Sequence, residues 1–391
     1  MALEKVVRNV LAAIPLVFLA HAGCGSCGNN DSTAKRTDYE KPVVEEHGTK
    51  EDALHQGALD PIILDFLENP TQTFTAQKIP KEGGLRAMIL SNIAEGCANL
   101  YVDDDDLKPT ALYCIERAME IAESNDVSPY NKPILQISDL GNQGIYLSHY
   151  NIILGAWKRV SESDNHKEAN EQVSKHLAKK TVKDPYKHMR SYSHLEGRWP
   201  ADQTATLYSL WLYDQNYGTD ISSEPIAQWL EYMQTKATDE KTGLPVSEVT
   251  GKWGYSNYPR GCALSWSVKY MARFAPEEAE KVWDLYKEHF AVDFVIGVGF
   301  REYPKGVERK GDVDSGPIIK ELGGVGVAAT GLAIGASNAI GDNTTYYKLK
   351  AVEQAGTLAA ASEQSKELTE AANSIHAKAI SFSNNTITAW Y

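Results

Sequence analysis

The chain has 391 residues, 42% of them hydrophobic, enough to bury one large core or two ordinary ones. Its 52 Asp and Glu against 39 Lys and Arg give a net charge of −13, with no basic cluster. That balance excludes a general nucleic-acid binder, because phosphate contacts need grouped Lys and Arg. Five cysteines do not make a disulfide scaffold in a chain this long.

Lys5 and Arg8 precede an apolar run from Val10 to Ala20, followed by Ala22-Gly23-Cys24. A basic start, a short apolar stretch and small residues before a cut describe a secretory signal. The run falls short of the ~20 residues needed to span a bilayer. It resembles bacterial lipoprotein signals, in which the Cys after the small residues becomes the lipidated first residue. The resemblance implies a signal over 1–23, lipid on Cys24, and an exported, periplasmic or cell-envelope protein anchored to the membrane. His21 departs from it, standing where such signals usually carry an aliphatic residue. Cys24-Gly-Ser-Cys27 has redox spacing, but processing at that point is the simpler account. Residues 24–57 are polar and charged and read as a mobile tether, leaving 58–391 as the folded domain.

The segment 59–67 is the first ordered piece. Helices over 85–97, 144–159, 200–214 and 260–274, and the small-residue run 322–340, are apolar on most faces and so predicted to be buried all round. Between them, 225–237 carries Ile226, Trp229, Leu230 and Met233 at i, i+3, i+4 and i+7, and 277–290 repeats the pattern. Segments 108–124, 165–181 and 344–358 show weaker stripes. Residues 243–249 and 295–303 read as short hairpin-like insertions.

Buried and striped helices in alternation are what two concentric layers require, the inner covered on both sides and the outer wet on one. Five pairs are visible, and a helix over 364–380 completes a sixth with the N-terminal segment. The pattern resembles the (α/α)6 toroids, which include six-hairpin glycosidases, sugar epimerases, polysaccharide lyases and linalool dehydratase/isomerase. The resemblance implies an all-α toroid over 58–391 and a site in the loops that lead into the inner helices.

Three such loops collect functional groups. The first holds His194, Glu196, Arg198, Trp199 and Asp202; the second Trp253, Tyr255, Tyr258, Arg260 and Cys262; the third Arg301, Glu302 and Tyr303, then Asp312 and Asp314. A fourth, 139–144, leads into the helix bearing His149. Asp202 with Asp312 or Asp314 is the candidate acid/base pair. Cys262, favoured as a thiolate by a helix start and Arg260, joins Tyr258 and His149 as further catalytic candidates. His194, Trp199, Trp253, Tyr255, Arg260, Arg301 and Tyr303 are the candidate binding residues, the aromatics as walls and the arginines as clamps for a carboxylate.

Each has a structural alternative. Asp202 suits a first helical turn, Asp314-Ser-Gly-Pro317 an N-cap with a proline start, Cys262 an inert buried thiol, and His149 a core histidine. Asp103 to Asp106 read as a solvated turn, and Gly323-Gly-Val-Gly as tight packing of an inner helix. No phosphate loop, dinucleotide fingerprint or metal-ligand spacing occurs, so no cofactor and no metal are expected.

Three functions compete. The leading one is a lyase or isomerase, dehydratase-like, acting on an apolar alcohol such as an isoprenoid. The second is a carbohydrate-active hydrolase, lyase or epimerase, and the third a non-catalytic lipoprotein binding a ligand or partner. The expected partners are a small-molecule substrate and, through the lipid, a membrane.

Overall fold

The computed structural model describes residues 59–81, 84–193, 195–252, 258–295, 297–307, 309, 315–360 and 374–385. The signal, Cys24 and the tether lie outside them. Among the described residues are thirteen α-helices: α1 (Pro61–Glu68), α2 (Pro70–Ala76), α3 (Leu85–Asp103), α4 (Lys108–Glu123), α5 (Gly144–Ser161), α6 (Lys167–Lys183), α7 (Pro200–Tyr217), α8 (Ser223–Lys236), α9 (Gly261–Phe274), α10 (Pro276–Phe290), α11 (Val327–Ile340), α12 (Asn343–Ala360) and α13 (Ile375–Asn385). Pro61, Pro70, Pro200 and Pro276 each open a helix, where a missing N–H costs nothing.

Helices α3, α5, α7, α9, α11 and α13 each touch the next, and α13 returns to α3, closing a ring of six. Helices α4, α6, α8, α10 and α12 lie outside it, and α1 covers α13. This is the two-layered (α/α)6 toroid that alternating burial predicts. The stripes face inward: Trp229 and Met233 of α8 and Trp283, Tyr286 and Phe290 of α10 are buried. Each such side chain contributes about 1.5–3 kcal/mol of apolar burial.

Small residues let the inner helices approach closely. A Cβ on Gly155 of α5 would meet Leu212 Cδ2 of α7 at 2.5 Å, so any larger residue there must displace that leucine. Two polar contacts pin α13 to the N-terminal segment outside the ring: Lys378 Nζ reaches Asp60 Oδ2 at 2.9 Å, and the Ile375 N–H donates to Gln77 Oε1 at 2.8 Å.

Four short strands follow α10. β1 (Ala291–Asp293) and β2 (Val298–Phe300) form one antiparallel hairpin, β3 (Ile318–Ile319) and β4 (Val325–Gly326) another, with an Arg301–Val325 bridge joining them. Several boundaries differ from expectation. Residues 243–249 form no strand, only a Thr238–Pro245 bridge. Gly323 and Gly324 do not belong to an inner helix; both have positive φ, 73° and 85°, and turn the β3–β4 hairpin. Pro317 starts no helix, since the chain runs into β3 and α11 begins at Val327. The closing helix begins at Ile375 rather than near 364. Asp104 accepts the Asp106 N–H at 3.0 Å on an exposed turn, as the solvated reading of that acidic run expects.

Candidate functional site

The first two turns of the six inner helices line one cavity of about 690 Å³. Leu85 and Met88 come from α3, Ile145 from α5, Ala201 and Asp202 from α7, Cys262 and Trp266 from α9, Val327 and Leu332 from α11, and His376 and Ile380 from α13. The inner helices therefore run parallel, with their N-termini at a common mouth. Tyr192, Leu195, Trp199, Ser247, Arg260, Gly316 and Pro317 complete the rim.

Neighbouring loops, not side-chain N-caps, close several of these helix starts. The Gly144 and Ile145 N–H groups donate to the Arg190 and Ser191 carbonyls at 2.9 and 3.2 Å. Those of Val327 and Ala328 donate to the Pro317 and Ser315 carbonyls at 3.1 and 3.2 Å. The Gly261 N–H donates to the Glu302 carbonyl at 2.8 Å. Orphan donors at a helix start need such partners when buried. The crowding makes Gly261 obligatory: a Cβ there would lie 2.1 Å from the Arg301 carbonyl oxygen.

Asp202 sits in the first turn of α7 and accepts a hydrogen bond from Ser191 Oγ at 2.5 Å. The loop before it is fastened by Arg198, whose Nη2 meets Asp184 Oδ2 at 2.5 Å, both side chains nearly buried. Trp199 stands edge-on to Tyr192, ring centres 6.1 Å apart, making an aromatic corner beside the carboxylate.

A second polar cluster centres on Glu302, which is wholly buried. Its Oε1 accepts Arg260 Nε–H at 2.8 Å and the Cys262 thiol at 3.1 Å, while Oε2 accepts the Cys262 N–H at 3.2 Å. Burial pushes the Glu302 carboxyl pKa up, against Arg260 and the Cys262 donors, which pull it down. Tyr303 is buried with its ring 5.9 Å from the Arg260 guanidinium.

Several predicted residues stand elsewhere. Arg301 is not at the cavity; its guanidinium donates to the carbonyls of Gly323 and Ala291, each at 3.0 Å, tying the two hairpins together. Tyr258 is not a lining residue either: Ser247 N–H and Oγ–H grip its carbonyl, and Arg309 lies 4.3 Å over its ring. His149 lies one helical turn below the cavity, sealed, with Nδ1 2.7 Å from Ser91 Oγ. Burial lowers its pKa to about 3, and Lys269 adds to the effect, so it stays neutral as a core histidine. Lys269, bonded to Ser383 Oγ at 2.7 Å and Asn92 Oδ1 at 3.1 Å, is lowered to about 8 by burial against the pull of Glu95. His194, Trp253, Tyr255, Asp312 and Asp314 lie outside the described residues.

Reasoning from sequence gave Glu302 no role and missed His376, Trp266, Tyr192 and Ser191. Among the described residues no group of three or more His, Cys, Asp or Glu is placed to hold a metal ion, and no helix is long and apolar enough to cross a membrane.

The ring of parallel inner helices with a cavity at their shared N-terminal mouth defines an (α/α)6 toroid. A solved structure of a family 105 glycoside hydrolase from C. acetobutylicum ATCC 824 shares this fold. It covers 82% of this chain and 99% of its own, with a TM-score of 0.52 at 12% sequence identity. No family model and no curated protein matches the chain.

Proposed function

We propose that this chain is a carbohydrate-active enzyme that uses Asp202 as its acid or base at the mouth of the toroid. The observation that carries the proposal is the Asp202 carboxylate, set in the first turn of an inner helix and facing a cavity of about 690 Å³. Trp199, Trp266 and Tyr192 give that cavity the aromatic surfaces on which sugar rings stack. The fold shared with a glycoside hydrolase supports the same reading. Asp312 or Asp314, shortly before Gly316 in the sequence, is the partner carboxylate in this proposal.

The lyase or isomerase reading on an isoprenoid alcohol, which the sequence puts first, gives way. The comparisons lend it no support, and the thiol it would use is committed to Glu302. The aliphatic share of the wall, Leu85, Ile145, Leu332 and Ile380 among it, is the feature that would suit such a substrate. We further hold that the protein is exported and lipid-anchored at Cys24.

A panel of aryl glycosides, plant and bacterial oligosaccharides and one isoprenoid alcohol tests the assignment. Turnover of a glycoside that falls ~10²-fold or more in Asp202→Asn, with an unchanged helical spectrum, is the expected result. Turnover of the alcohol alone, or a fully active Asp202→Asn, overturns it.

A further inference from the structure

The first turn of α13 carries a group that the proposed acid/base chemistry does not use. His376 lines the cavity. Its Nε2 is sealed from solvent and has no hydrogen-bond partner among the described residues. Buried polar atoms in folded proteins are nearly always paired, and leaving one unpaired is costly, so such a nitrogen calls for an explanation. The position in the ring supplies one. Counting around the six inner helices, α13 is three steps from α7 in either direction, so His376 and Asp202 stand on opposite walls. The wall beside His376 carries Ala377 and Ile380 on its own helix, Leu332 on α11, and Ser374, whose Oγ accepts the Ala377 N–H. A side chain able to hydrogen-bond on a largely apolar wall, across a ligand-sized space from a carboxylate, is how a site fixes the orientation of what it holds.

We infer that His376 is a ligand-binding residue, its imidazole taking a hydrogen bond from a hydroxyl of the sugar whose reacting end meets Asp202. This rests on the glycoside reading above. The ring is neutral near pH 7, because burial lowers its pKa to about 4. A neutral imidazole offers one acceptor and one donor and suits a hydroxyl, which is both. Because Nε2 is sealed, the ring must turn about its Cβ–Cγ bond to offer a nitrogen to the cavity. So weak a base contributes orientation and not proton transfer.

A structural histidine and a histidine kept for a ligand respond oppositely to removal of their nitrogens, and this gives the test. His376→Leu and His376→Asn are compared with wild type, with His149→Leu as the control for a histidine that serves the fold. Thermal melts of the full chain come first. The expected result is a Tm for His376→Leu no lower than wild type, with a clear drop for His149→Leu, which loses its bond to Ser91. A drop in His376→Leu matching that of His149→Leu overturns the inference. On any glycoside of the panel that wild type turns over, KM rises about tenfold in His376→Leu with kcat within a few-fold, and His376→Asn recovers most of the loss. An unchanged KM, or a loss confined to kcat, also overturns it. If wild type turns over no glycoside, the functional reading falls by itself, while the melts still decide whether His376 serves the fold.

Discussion

Removing the Glu302 carboxylate tests whether the rim cluster is what holds the start of α9. Its two oxygens take the Arg260 guanidinium, the Cys262 thiol and the Cys262 N–H, the carboxylate itself wholly buried and its partners nearly so. Breaking a buried ion pair by removing one member costs ~3–5 kcal/mol. A buried N–H stripped of its acceptor adds ~1–3 kcal/mol, less what relaxation recovers. Glu302→Ala should therefore lose about 4 kcal/mol or more, a large part of a typical 5–15 kcal/mol of net stability. Glu302→Gln keeps the shape and one acceptor but removes the charge opposite Arg260 and turns an NH2 toward a donor, and should lose about 3 kcal/mol or more. The double variant Arg260→Met with Glu302→Met removes both charges and should return to within about 1–2 kcal/mol of wild type. Urea unfolding followed by circular dichroism reads all three. A Glu302→Ala loss below about 1 kcal/mol, or a double variant no better than Glu302→Ala, would refute the reasoning.

Acid should loosen the protein early. His149 and His188 are buried neutral with pKa lowered to about 3 and about 4, against 6.5 when unfolded. Between those values the unfolded chain binds more protons, so stability falls as pH drops below about 6.5 and the loss levels off near pH 3–4. Each shift corresponds to about 3–5 kcal/mol, and a Tm flat from pH 6.5 to 4.5 would contradict it. Asp60→Ala removes both the cap on the Ile62 N–H, at 2.8 Å, and the buried partner of Lys378. It should cost about 3–5 kcal/mol and expose α13 to limited proteolysis; an unchanged urea midpoint would argue against that contact. Mass spectrometry of the membrane fraction should find a mature chain beginning at lipid-modified Cys24, and an intact Met1 or bare Cys24 would remove that proposal.

The helical layers were legible because burial on all sides and burial on one stripe leave different residue patterns, as α7 and α8 show. Asp202 and Cys262 were legible because both fall just inside a helix start. Glu302 was not, because of parity. In extended chain, successive side chains point to opposite sides, and nothing local says whether 301 or 302 faces the core. Arg301 was preferred for its charge, yet it turns to main-chain carbonyls while Glu302 turns to the rim. His376 was lost to a boundary: a helix over 364–380 puts it in the last turn, far from the mouth. The signal that could have found it is Ser374, whose Oγ accepts the Ala377 N–H at 3.2 Å, an N-cap just before Ile375.

The contact between Lys378 and Asp60 spans 318 residues of sequence. Closing a loop of that length costs about 5 kcal/mol of chain entropy, recovered only when α13 seats between α11 and α3. Helix α13 is the last of the six inner helices in chain order, so the wall opposite Asp202 is present only once it joins the ring. The cavity comes into being with its final helix. Completion of the ring and completion of the cavity wall are thus one event.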